Sequence, residues 1–154
     1  MTAAVVAGAL VVAALNVSPA LLGGWLWQWG SPSERGARAF WVSLRVGQGS
    51  ALMFALAVGS LAAAGRYSSE HLFYLYALLP LAIGFVAEQL RLASAQAVLD
   101  HHELEDAEAV GRLPERGQRL IVAEIVRREI GVMALSAFVV VFLALRAAGT
   151  AHGF

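Results

Sequence analysis

The chain has no cysteine and no lysine among its 154 residues, and no charged residue before Glu34. Without cysteine there can be no disulfide, thiolate metal site or thiol chemistry, which excludes dithiol quinone-reducing enzymes and most structural zinc. Glycine and proline are absent from Glu88 to Val110, so nothing there interrupts a helix. Charge is scarce too: Asp, Glu and Arg together make 14% of the chain and sum to a net charge of zero. A neutral chain offers no basic footprint for nucleic acid, so no nucleic-acid partner is expected.

What is abundant is apolar surface, at 59% hydrophobic residues. It gathers in four runs, about 3–22, 46–64, 72–87 and 130–145, each near the roughly 20 residues a helix needs to cross a bilayer core of about 30 Å. Lipid supplies no hydrogen-bond partners, so such continuous runs must be helices, because barrel strands show alternation instead. The expected fold is all-α: a polytopic membrane protein, a four-transmembrane-helix bundle forming one domain over 1–154. No positive charge precedes the first run, which reads as a retained span rather than a secretory signal.

Arginine placement sets an expected orientation, since positively charged loops stay cytoplasmic. Arg35, Arg38, Arg45, Arg91, Arg112, Arg116, Arg119, Arg127 and Arg128 fall on one side of the four spans, and only Arg66 and Arg146 on the other. Both termini are then outside, in a cell inner membrane. Trp25, Trp27, Trp29 and Trp41 flank the first cytoplasmic loop, where indoles favour the headgroup layer. That loop is a short turn from Gly30 to Arg35, in which Ser31, before proline, or Ser33, before glutamate, is positioned to cap the next helix. Residues 88–129 read as a cytoplasmic helical hairpin extending spans three and four. Its first arm is expected to run on to Gly111, turn through Arg112, Leu113 and Pro114, and restart with proline in the first helical turn.

Candidate sites follow from where polar and small residues fall. In span two, Ser43, Gly47, Ala51, Ala55, Gly59 and Ala63 recur every four residues, a smooth stripe that lets backbones approach in lipid, within the bundle or between copies. Arg45, Gln48, Glu88, Arg91, Glu124 and Arg128 share one depth at the inner ends of the spans. An inward Arg45 would bridge Glu88 and Glu124, making a network that fixes the bundle or binds a proton, ion or anionic headgroup. His101, His102, Glu105 and Asp106 offer imidazole and carboxylate to a divalent metal, without the second-histidine spacing of a helical metal motif. A solvated acidic face, paired with Arg112, Arg116 and Arg119 of the second arm, is the plainer account. At the outer end lie His71, Tyr74 and Tyr76, and two helix irregularities, Asn16 with Ser18 and Pro19 in span one and Pro80 in span three, suit interhelical hydrogen bonds.

The stretch Glu34-Arg35-Gly36-Ala37-Arg38-Ala39 is similar to the arginine-rich entry to the second span of small four-span glutathione-transferring membrane enzymes. The asparagine and glutamate expected next are replaced by Val42, Ser43 and apolar neighbours, so no residue role is carried over. Small multidrug transporters carry an acidic residue deep in their first span, which this chain lacks. No catalytic residue and no cofactor is implied. The expected function is that of a scaffold or accessory subunit of a larger membrane assembly, associating through span two and the cytoplasmic hairpin as a homo-oligomer or with other membrane subunits. A homo-oligomeric ion or proton channel, or a small transporter, using the inner-leaflet Arg/Glu cluster is the first alternative, and an enzyme acting on a lipid or amphipathic cofactor the second.

Overall fold

The computed structural model describes residues 1–29 and 33–152, and all of its regular structure is helical. Four helices are long and apolar enough to cross a membrane: α1 (Thr2–Gln28), α2 (Glu34–Ala63), α3 (His71–His101) and α5 (Glu115–Thr150). A single short helix, α4 (Ala107–Gly111), lies between the last two. Each long helix overruns its apolar run, because polar residues at either end still favour helix once the backbone must satisfy its own hydrogen bonds. The α2 start is fixed by Ser33, whose hydroxyl accepts from the Gly36 amide at 3.1 Å. The remainder of that expected turn, Gly30 to Pro32, lies outside the described residues.

The long helices stand at the corners of a square in the order α1, α2, α3, α5, with three closely packed edges and a sparse one between α2 and α3. Of the most apolar stretch of α5, 44% is buried, against 22% for α2 and for α3, which makes α5 the most enclosed helix. Three apolar layers fill the interior. Leu26, Phe40, Leu44, Ala87, Ile130 and Met133 pack at the charged end of the bundle. Val12, Ala13, Ala51, Val140 and Ala144 form the middle, and Val5, Val58, Phe73, Ala77 and Ala147 the far end. At that far end Gly65, at φ 75°, turns the chain between α2 and α3, and Ser68 and Ser69 donate to the His152 carbonyl at 2.9 and 3.2 Å.

The hairpin departs from expectation in its first arm. Helix α3 stops at His101, not Gly111; Glu103 takes a positive φ of 56°, and Asp106 caps α4 by accepting from the Ala109 amide at 2.8 Å. Two causes suffice. Glu103, Glu105, Asp106 and Glu108 would crowd like charge on one continuous helix. The reversal also brings Leu104 and Val110 onto a small core of Val98, Ile121 and Ile125, which a straight arm would leave in water. Pro114 precedes α5 as its cap residue, its missing N–H costing nothing there.

Close helix approach rests on particular glycines. A Cβ on Gly23 would lie 2.4 Å from Phe40 and 2.7 Å from Ala134, whereas one on neighbouring Gly24 would meet nothing within 4 Å. Gly23→Ala is therefore expected to destabilise the bundle by about 1–3 kcal/mol through overpacking. Gly24→Ala should be neutral or stabilising by up to about 1 kcal/mol, from helix propensity alone. Thermal or detergent unfolding of the two variants side by side checks the contrast.

Candidate functional site: the charged end of the bundle

The charges expected to share one depth separate into two groups rather than one ring. In the first, Arg45 of α2 donates through Nη1 to Gln48 Oε1 at 2.7 Å and to Glu88 Oε1 of α3 at 2.6 Å. Arg91, one turn along α3, donates through Nε to Glu88 Oε2 at 2.9 Å and lies 3.7 Å from Glu129 of α5. Its guanidinium also sits 5.5 Å from the Trp41 ring centroid, within cation–π range. Arg91 thereby links α2, α3 and α5, and two arginines face two glutamates with no net charge left over.

Glu124 does not join this group, against the expectation that Arg45 would bridge it. It lies farther out on α5, 3.0 Å from His102 Nε2 and 3.2 Å from Arg128 on its own helix. The residue that takes its place is Glu129, five positions along α5, where 3.6-residue periodicity turns it toward α3. Its signal in the sequence was a carboxylate directly abutting the apolar run that begins at Ile130. With 17% of its side chain exposed it is the most enclosed acid of the ion pairs.

The histidine-acid set is dispersed in the same way. His102 faces Glu124, Asp106 is committed to the α4 cap, and the His101 and His102 rings meet edge to face at 5.3 Å. Among the described residues no three His, Asp or Glu side chains gather as metal ligands. The expected pairing of acidic and basic arms is also replaced by local pairs, Glu108 with Arg112 and Glu115 with Arg119, each four residues apart.

The small-residue stripe divides along its length. Gly47, Ala51 and Ala55 are buried, whereas Gly59 and Ala63 are exposed and the Ser43 hydroxyl donates to the Phe40 carbonyl of its own helix. Gly47 has a specific duty. Buried Asn16 of α1 donates through Nδ2 to the Val12 carbonyl at 2.9 Å and the Gly47 carbonyl at 3.2 Å, and a Cβ on Gly47 would come within 2.7 Å of Asn16 Oδ1. An analogous seat missed in the sequence is Gly131, which lies beneath Trp27, while Arg127 Nε donates to the Trp27 carbonyl at 2.6 Å. Trp25, Trp27 and Trp29 are more than half exposed around this end.

The sparse α2–α3 edge leaves a crevice of about 270 Å³. Leu44, Leu52, Leu81, Phe85 and Val140 wall it, Asn16 and Ser136 lie deeper, and Arg45, Gln48 and Glu88 border its charged end. An apolar slot with polar groups at a single end suits an amphipathic molecule. No family model matches the chain, and no curated protein or solved structure matches it either.

Because Arg91 serves Glu88, Glu129 and Trp41 together, Arg91→Gln should destabilise the bundle more than Arg45→Gln, whose side chain is 56% exposed. Adding Glu129→Gln to Arg91→Gln should recover part of the loss, with a coupling of about 0.5–1 kcal/mol. A double-mutant cycle read by thermal unfolding measures it.

Proposed function

We propose that this chain is a multi-pass scaffold or accessory subunit of an inner-membrane assembly, with its charged end and hairpin cytoplasmic and both termini outside. It associates with a second copy or with other membrane subunits through the outer half of α2. One observation carries the reading: within a single four-residue repeat, Gly47, Ala51 and Ala55 are used inside the bundle while Gly59 and Ala63 stand open, with nothing within 4 Å of a Cβ at Gly59. Around them Met53 and Leu56 are exposed, at 67% and 56%. Small residues flanked by large apolar ones are what close helix contact in lipid requires. The arginine asymmetry supports the orientation.

The channel reading draws less support, since Arg45, Gln48 and Glu88 border a crevice open at its side and both Glu88 oxygens are engaged by arginines. The enzyme reading gains from one feature, the apolar crevice beside Glu88, which a lipid-directed activity would need.

Native mass spectrometry of the protein extracted from membranes at native expression level tests the scaffold reading. A defined assembly larger than one chain is expected, falling to the single chain in Gly59→Trp while Gly24→Trp leaves it intact. A wild-type protein that is a single chain under the mildest extraction would contradict it.

A further inference from the structure

The geometry points to the α2–α3 crevice as a seat for one phospholipid of the cytoplasmic leaflet, with an acyl chain between the helices and the phosphodiester on Arg45. This inference rests on the membrane orientation proposed above but not on association through the outer half of α2, which is the opposite half of that helix.

Three observations converge on it. The first is length. Along α3 the crevice runs from Glu88 to Pro80, about 12 Å at 1.5 Å per residue, close to the roughly 15 Å that one leaflet contributes to the hydrocarbon core. It therefore ends where an acyl chain from one side ends.

The second is unspent hydrogen-bonding capacity at its charged end. Arg45 meets both Gln48 and Glu88 through Nη1; among the described residues its Nη2 and Nε donate to nothing. Gln48 accepts through Oε1, and its amide N–H groups likewise have no partner among the described residues. Guanidinium edges bind phosphate oxygens through paired donors, and an amide N–H three residues, or about 4.5 Å, deeper along α2 suits an ester carbonyl. Glu88 does not repel the phosphate outright, because both its oxygens are already engaged by Arg45 and Arg91.

The third is the lateral opening. Leu52, Leu81 and Phe85 at the rim are 47%, 37% and 68% exposed, so the slot faces the hydrocarbon of the bilayer and not a watered interior. Trp41, Val42 and Val46 continue the apolar surface past Arg45 on α2.

Two substitutions probe the two halves of the seat. Gly84 lines the crevice and a Cβ there meets nothing within 4 Å, so Gly84→Leu fills the slot while raising helix propensity. Arg45→Gln removes the phosphate donors from a half-exposed position. The full-length protein is reconstituted into vesicles of phosphatidylglycerol and phosphatidylcholine, or of phosphatidylcholine with diacylglycerol, then released in mild detergent for native mass spectrometry. Thermal unfolding confirms that each variant is folded. Wild type should retain one phospholipid and no diacylglycerol, and each variant should retain it about tenfold less, the loss expected for a charge-assisted contact. Wild type without bound lipid, equal retention in all three proteins, or diacylglycerol held as firmly as phospholipid would each overturn the inference. Loss in Gly84→Leu with full retention in Arg45→Gln would overturn it as well, marking a site for an apolar chain alone.

Discussion

The bundle depends on how closely α1 can approach its two neighbours. Inside a bilayer there is no hydrophobic drive between helices, so contact must come from van der Waals packing and interhelical hydrogen bonds, both of which fall off steeply with distance. Gly23 lets Phe40 of α2 and Ala134 of α5 close on one turn of α1; Gly47 brings its carbonyl to Asn16; and Gly131 lies under Trp27. With α1 held at these points, α5 packs along it and α3 packs on the far side of α5. The remaining edge, between α2 and α3, has no such seats and leaves the crevice open.

Electrostatics closes that edge at its end instead. Glu88 accepts from Arg45 across the gap and from Arg91 along its own helix, and Arg91 extends the link to Glu129 and Trp41. Charges near the membrane interface are tolerable when paired and able to reach water, and these four residues are balanced and partly exposed. The apolar crevice and its polar rim are thus two consequences of one packing asymmetry: small residues where helices touch, an ion-pair bridge where they do not.

Part of this is legible in the sequence. Four helices long and apolar enough to span a membrane follow from hydropathy, a serine cap before α2 from its two candidates Ser31 and Ser33, and the grouping of Arg45, Glu88 and Arg91 from helical spacing; which part of the α2 stripe packs inward does not. What was not legible depends on long-range geometry. Glu124 and Glu129 lie about 140° apart around α5 at about 100° per residue, and the rotation and axial offset of α5 against α3 decide which one meets Arg91. The break after His101 occurs in a stretch free of glycine and proline, because burying Leu104 and Val110 outweighs local propensity. Gly23 and Gly131 stand outside any regular repeat, so the sequence pattern pointed to a stripe on α2 and passed over the seats on α1 and α5.

The proposed orientation, on which the depth of the charged end and of the crevice both depend, is open to one direct measurement. The natural absence of cysteine makes single-cysteine reporters clean. Tyr67→Cys lies in the exposed α2–α3 loop and Glu103→Cys in the hairpin turn. In intact cells a membrane-impermeant maleimide should label the cysteine at position 67 and reach the one at 103 only after permeabilisation. Labelling at 103 in intact cells, with 67 protected, would place the arginine-rich end outside and contradict the account at its root.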